Sequence, residues 1–289
     1  MNKNVSIAIT AALVMNGGIV NAQEATNIGK HNITLSKDVM TPETLWAMGR
    51  IGSAQASPDG NKIVYQVGYY SVKENRGHQV IYVMDSDGQN VRQLTTSAKS
   101  EGNPVWLDNH TIAFLLDGQI WSMNSDGTNR KKLSSSDIEI EGFRFSPDGK
   151  KVLLIKSIPY YGTIKKNPSD LPKASGRLIT DMNYRHWDHY VETIAHPFVA
   201  EVTANGISKN DVDIIEGEPY ESPLAPFGGI EQFDWSKDSK QIAYTCRKKE
   251  GVKYAVSTDA DIYLYNIDTK NTVNLCKPAD YVEPETNMT

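Results

Sequence analysis

One four-residue turn, written twice and each time ahead of an apolar run, constrains this chain more than any other feature. Ser57-Pro58-Asp59-Gly60 precedes NKIVYQV, and Ser146-Pro147-Asp148-Gly149 precedes KKVLLIK. Proline presets φ for the first central position of a tight turn, aspartate bonds the backbone ahead of it, and glycine supplies a positive φ that side chains resist. Each copy therefore reads as a hairpin connection. Phe143 and Phe145 alternate with polar residues before the second copy, and Val152-Leu153-Leu154 follows it as an apolar strand. Weaker copies stand at Trp106-Leu107-Asp108-Asn109 before HTIAFLL, and at Trp235-Ser236-Lys237-Asp238-Ser239 before KQIAYTC. The turn aspartates are residues 59, 108, 148 and 238, so two intervals are near forty residues and one is about twice that.

A second signature follows these turns. VIYVMDSDGQNVRQLT (80–95), QIWSMNSDGTNRKKLS (119–134) and DIYLYNIDTKNTVNLC (261–276) each read as strand, turn, and a second strand ending in Leu plus a small polar residue or Cys. A unit then holds four short antiparallel strands, and four strands repeated every ~40 residues make the blade of a β-propeller. A sandwich would not repeat both turns in the same order. The expected fold is all-β: about four blades of a TolB/WD40-like propeller, covering 50–96, 100–135, 140–217 and 228–277.

The third blade is long because residues 158–196 break the strand pattern. Pro159, Pro168 and Pro172 punctuate its start, and aromatic and charged residues follow. Leu178, Met182, Arg185 and His189 fall at helical spacing, which predicts a short helix and a partly helical insert. Strands resume in a hairpin around Asn205-Gly206. Tyr184, Trp187 and Tyr190 either bury the insert against its blade or offer a stacking surface. His186, Asp188 and His189 invite a metal reading, since two histidines three apart on a helix can share a metal, but no third ligand is evident. No metal and no cofactor is expected.

The formal charge of −5, with 39% hydrophobic and 22% charged residues, is ordinary for a soluble globular chain and gives no electrostatic reason for a nucleic-acid partner. Residues 1–22 read as a secretory signal. Lys3 is the positive start, Val5 to Val20 the apolar stretch, and Val20-Asn21-Ala22 the small-residue cleavage site. A membrane anchor is the alternative, but the run is too short and interrupted to span ~30 Å of hydrocarbon. Cleavage near Ala22 would leave a periplasmic or secreted chain with no membrane contact. Only two cysteines, Cys246 and Cys276, remain. The blade reading puts a strand between them, about 10 Å apart, beyond disulfide reach.

Repeated S-P-D-G turns in an exported chain resemble the TolB-like propeller class. Met40-Thr41-Pro42-Glu43-Thr44-Leu45-Trp46, then Gly49-Arg50-Ile51, resembles the lead-in segment of prolyl oligopeptidase family enzymes. Tyr184-Arg185-His186-Trp187-Asp188-His189-Tyr190, and the turn Glu216-Gly217-Glu218-Pro219-Tyr220-Glu221-Ser222-Pro223, resemble the third-blade region of the acylaminoacyl-peptidase and dipeptidyl-peptidase V types. The resemblance runs from about Met40 to Cys276. It implies a seven- or eight-bladed propeller capping a C-terminal α/β-hydrolase domain. That domain carries a Ser-Asp-His triad and releases dipeptides or acylated residues from peptide N-termini. The implied partners are a peptide substrate and the hydrolase domain, in cis or as a separate chain.

The sequence departs from that pattern in one way. G-x-S-x-G, the turn that lifts a nucleophilic serine above a hydrolase sheet, is absent from these 289 residues. The nearest stretch, Gly206-Ile207-Ser208-Lys209-Asn210, lacks the second glycine, so Ser208 is expected to be a turn residue. No alternating βαβ pattern occurs. The expected layout is a signal (1–22), a lead-in segment (23–49), four blades (50–277) and a tail (278–289), with the catalytic domain missing. Four such blades are expected not to close, leaving exposed strand edges at both ends.

An exopeptidase must hold a free amino terminus, which carboxylates in a desolvated pocket do well. Glu216, Glu218 and Glu221, on the loop before the fourth blade, are the candidates. The alternative is a solvated acidic connector. Trp187 is a further candidate for the substrate surface, and Glu192 a weaker carboxylate. No catalytic residue is expected. Asp85-Ser86-Asp87-Gly88 and Asn124-Ser125-Asp126-Gly127 lack a distal calcium-binding Glu and read as hairpin turns. Two other functions fit an S-P-D-G propeller. One is a non-catalytic TolB-like binding module. The other is a lyase with a metal-binding histidine set in its channel, but the six histidines here do not align across blades.

Overall fold

The computed structural model describes residues 28–33, 39–160, 164–165, 173, 178–179, 191–277 and 281–282. Its strands form four antiparallel four-stranded sheets. The first is β1 (Arg50–Ala56), β2 (Lys62–Ser71), β3 (Arg76–Asp85) and β4 (Arg92–Gln93), in that spatial order. The second runs likewise through β5 (Glu101–Trp106), β6 (Thr111–Leu116), β7 (Gln119–Asn124) and β8 (Lys131–Lys132). The third starts with β9 (Ile140–Phe145) and β10 (Lys151–Pro159). After a small hairpin, β11 (Ile164–Lys165) with β12 (Leu178–Ile179), it resumes as β13 (Thr193–Thr203) and β14 (Gly206–Asp213), in the order β9-β10-β13-β14. The fourth is β15 (Phe233–Trp235), β16 (Gln241–Cys246), β17 (Asp261–Asn266) and β18 (Thr272–Asn274). Each sheet is one blade of a propeller.

The repeated turn is built as its residues dictate. Ser57 Oγ donates to Asp59 Oδ1 at 2.6 Å and accepts from the Lys62 amide at 2.9 Å, while Gly60 takes φ +72°. Ser146 and Asp148 repeat this with Gly149 at φ +68°, and Ser236 and Asp238 repeat it with Ser239 at φ +61° in the glycine's place. The serine hydroxyl, then the backbone amide two residues on, holds the carboxyls of Asp59, Asp148 and Asp238 below the usual range. The turns also tie blades together. The Asp59 amide donates to Asn109 Oδ1, and the Asp148 amide to Ser239 Oγ.

The second signature has a physical meaning too. The Leu94, Leu133 and Leu275 amides donate to the carbonyls of Ile81, Ile120 and Ile262 at 2.7, 2.8 and 2.9 Å. The next residue's side chain then accepts from the same isoleucine's amide: Thr95 at 2.8 Å, Ser134 at 2.8 Å and Cys276 at 3.3 Å. The short outer strand leaves its neighbour there, and the small polar side chain satisfies the backbone group it abandons.

Blades pack face to face. Val64, Ile81 and Val83 of the first meet Trp106, Ile112, Phe114 and Met123 of the second. Ala113 and Ile120 of the second meet Phe143, Val152 and Leu154 of the third. Leu153, Ile155 and Val199 of the third meet Phe233, Trp235, Ile242 and Tyr244 of the fourth. Among the described residues, no apolar cluster joins the fourth blade to the first. Blades stack by their faces, so among the described residues the outer faces of the first and fourth blades have no other blade's sheet against them. Ile28 covers part of the first blade's free face, against Val67, Tyr69 and Val80.

Two further expectations, on the insert and on the cysteines, meet the structure. Leu178, the start of the expected helix, instead pairs with Lys165 across β11 and β12. Isoleucines at 164 and 179 are residue types that favour extended backbone. Met182, Arg185 and His189 lie outside the described residues. Trp106 and Trp235 are buried, whereas Trp121 is half-buried. Cys246 is buried, Cys276 is exposed, and both are free thiols.

Candidate functional site

Strand direction sorts the loops onto two rims. In each blade the first strand runs down to the S-P-D-G-type turn, and the third runs down to the second tight turn. That rim therefore holds only short turns. The opposite rim holds the connections that enter each blade and those between its second and third strands. Over blades three and four these are long: 160–192, 214–232 and 247–260. Loops of that length on a rigid scaffold are where ligand-facing residues concentrate.

A cleft of about 230 Å³ opens on this rim, where the inner strand β9 meets the ends of β10 and β13. Glu141, Ser157 and Thr193 line one side, and Glu221, Pro223 and Gly228 the other. Ser157 Oγ donates to Glu141 Oε1 at 2.5 Å. The facing wall is fixed by Ser222, whose amide donates to the Ala195 carbonyl and whose hydroxyl donates to the Thr245 carbonyl.

Glu221 is only 2% exposed. Its Oε1 accepts from the hydroxyl of Tyr254, on the short helix α1 (Val252–Val256). Burial and the neighbouring Glu221 charge push the Tyr254 hydroxyl up, so it stays a proton donor. The Arg247 guanidinium lies 4.0 Å above the Tyr254 ring. Glu221 is thus a carboxylate held at the cleft wall by a buried phenol.

The other candidates go elsewhere. Glu218 is half-buried, its Oε1 accepting from Lys248 Nζ at 2.6 Å, and Lys248 Nζ sits 4.5 Å from the Tyr263 ring. Glu216 is exposed to solvent, next to Gly217 at φ +80°. The chain reverses there, so carboxylates two residues apart face different surroundings. Of the three, only Glu221 lines the cleft. Glu192 is exposed at the base of the insert, and Trp187 lies outside the described residues, as do Tyr184, His186, Asp188, His189 and Tyr190. Ser208 lies within β14, not in the turn, and its Oγ accepts from the Asn210 amide. Among the described residues, no three His, Cys, Asp or Glu side chains are placed to hold a metal ion.

Sequence reasoning missed Glu141. It sits between Ile140 and Gly142 in a strand-like run, and nothing local marks it. The one available signal was position, since the first residues of a blade's inner strand lie at the loop rim.

No protein-family model matches the chain. It is 41% identical over 280 residues to dipeptidyl-peptidase 5 of Porphyromonas gingivalis, covering 95% of this chain and 40% of that protein. Over nearly its whole length the chain is similar to part of a dipeptidyl-peptidase 5. The protein of that name from Porphyromonas endodontalis is 37% identical over 247 residues, covering 84% of this chain and 36% of the relative. The chain thus spans about two fifths of the length of these dipeptidyl-peptidase 5 relatives. Among solved structures, the acylaminoacyl peptidase of Pyrococcus horikoshii superposes with a TM-score of 0.52 at 13% identity, over 80% of this chain and 33% of that one. That likeness concerns the fold alone.

Proposed function

We propose that this chain is the substrate-gating propeller of an exported serine exopeptidase that releases dipeptides or acyl-amino acids from peptide N-termini. The observation that carries the reading is the identity to dipeptidyl-peptidase 5 across nearly the whole chain. Serine-type hydrolysis needs a nucleophile, a base within hydrogen-bond reach and oxyanion donors. With no G-x-S-x-G among these residues, that chemistry falls to a hydrolase domain outside them, in cis or as a separate chain. The propeller's part is to admit and orient the substrate. We assign the peptide's free ammonium to Glu221 in the loop-rim cleft, with Glu141 opposite. Glu216, Glu218 and Trp187 are assigned to the wider substrate surface, on the sequence resemblance rather than on their placement. The N-terminal pattern supports export, with cleavage near Ala22.

The test has two arms. A fluorogenic dipeptide given to the purified chain should show no turnover above buffer. Turnover blocked by a serine-directed covalent inhibitor would place a triad within these residues and overturn the reading. A fluorescent tripeptide with a free N-terminus should bind more tightly than its N-acetylated form. Equal binding would remove the ammonium assignment.

A further inference from the structure

Glu221 stands on a connection that has no regular structure of its own: residues 214–229 contain no helix or strand. What fixes the carboxylate therefore comes from outside the connection. The loop between the second and third strands of blade four, 247–260, does so from behind the cleft wall. Where β16 runs into this loop, the Ser222 hydroxyl donates to the Thr245 carbonyl at 2.8 Å and the Cys246 thiol to the Glu221 carbonyl at 3.5 Å. Further out, Lys248 Nζ donates to Glu218 Oε1 at 2.6 Å and the Tyr220 hydroxyl to Glu250 Oε1 at 3.0 Å. These bonds place the backbone of 218–222. The hydroxyl of Tyr254, donating to Glu221 Oε1, places the carboxylate itself.

Tyr254 is 3% exposed and is not among the residues that line the cleft. Its ring lies against the Arg247 guanidinium, whose Nη1 donates to the carbonyl of Ser257, the residue that caps α1, at 2.7 Å. The kind of donor matters. A carboxylate that is to receive an ammonium is best oriented by a neutral group, because a lysine or arginine on it would bring a charge of the ligand's own sign. The loop carries both kinds and sorts them. Lys248 goes to Glu218 and Arg247 to the Ser257 carbonyl, while the phenol, which burial keeps protonated, goes to Glu221.

We infer that Tyr254 is a positioning residue for the peptide's N-terminal ammonium. Through it the 247–260 loop holds Glu221 in one orientation, with Arg247 steadying the ring. A carboxylate already held this way loses little side-chain freedom when the ligand arrives, so the hydroxyl contributes to affinity without touching the peptide. The inference rests on the assignment of that ammonium to Glu221.

Fluorescence anisotropy on the purified chain, with a free-amine tripeptide and its N-acetylated form, tests it. Tyr254→Phe keeps the ring and loses the hydroxyl. It should weaken binding of the free-amine peptide about fivefold, as expected for one neutral hydrogen bond, and leave the acetylated peptide unchanged. In a Glu221→Gln background the same change should cost less than about twofold, because the charge to be oriented is already gone. Arg247→Lys keeps the charge but not the planar stack on the ring, and should give a selective loss of about two- to threefold. Unchanged free-amine binding by Tyr254→Phe, equal losses for the two peptides, or an undiminished loss in the Glu221→Gln background would overturn the inference while leaving Glu221 in its role. Should Tyr254→Phe not fold, Arg247→Lys decides, and the absence of a selective loss there would overturn it. No selective loss in Glu221→Gln itself would remove the ammonium assignment, and the inference with it.

Discussion

The indole Nε1 of Trp235 donates to the backbone carbonyl of Arg144 at 3.1 Å, from the inner strand of one blade to that of the blade before it. Trp106 makes the same bond to the Gln55 carbonyl, also at 3.1 Å. Both rings are buried at a seam between blades. A residue that fills the seam and also satisfies a backbone group there fixes how two sheets sit on each other. Apolar contact alone would permit sliding.

The first prediction follows from that pair. Trp235→Phe keeps most of the buried ring but leaves the Arg144 carbonyl without its indole donor, and should cost about 1 kcal/mol of stability. Trp235→Ala also opens a cavity at the seam and should cost about 3–5 kcal/mol. Urea unfolding read by far-ultraviolet circular dichroism separates them. Equal midpoints for the two variants would deny the seam its packing role.

The second concerns acid. His78 is 1% exposed, and among the described residues neither ring nitrogen has a hydrogen-bond partner. Burial, helped by the Arg76 charge and opposed by Glu101, holds its pKa below the ordinary 6.5. The folded state therefore binds this proton less readily than the unfolded state. The stabilisation is full above about pH 6.5 and is lost as pH falls toward the lower folded value. The urea midpoint should fall between pH 7 and pH 5 in the native chain, and fall less in His78→Leu.

Third, the small polar residue after each outer strand should matter in proportion to burial. Ser134→Ala leaves the amide of fully buried Ile120 without that acceptor, and should cost about 1–3 kcal/mol. Cys276→Ala does the same to half-exposed Ile262, where water can replace the sulfur, and should stay within about 0.5 kcal/mol. Denaturation midpoints with unchanged slopes would check both.

Fourth, Glu221→Gln keeps an oxygen for the Tyr254 hydroxyl but removes the charge. If Glu221 holds the peptide ammonium, the variant should bind a free-amine tripeptide about 10- to 100-fold more weakly, from a charged hydrogen bond worth about 1.5–3 kcal/mol. Binding of the acetylated peptide should not change. Fluorescence anisotropy reads both, and equal losses for the two peptides would indicate a structural role only.

The sequence by itself determined the repeated unit. Ser-Pro-Asp-Gly specifies its turn through φ preferences and a hydrogen bond two residues long, and the alternating strands beside it bury one side chain in two. Such local rules need no knowledge of distant residues, so the four blades and their order were legible. The Leu-plus-small-polar ending was visible as a pattern, although its purpose, satisfying an abandoned amide, appeared only when Ile81, Ile120 and Ile262 were in place. Tertiary structure alone decided which carboxylates share a cleft. Glu216, Glu218 and Glu221 are neighbours in sequence, yet one faces water, one is drawn to Lys248, and one is held at the cleft wall by Tyr254. Glu141 reaches the cleft from eighty positions upstream of Glu221 because blade packing brings the inner strand beside the loop. Whether an equivalent isoleucine is buried is likewise a tertiary matter: Ile81 and Ile120 lie under the following blade, whereas among the described residues no sheet covers Ile262.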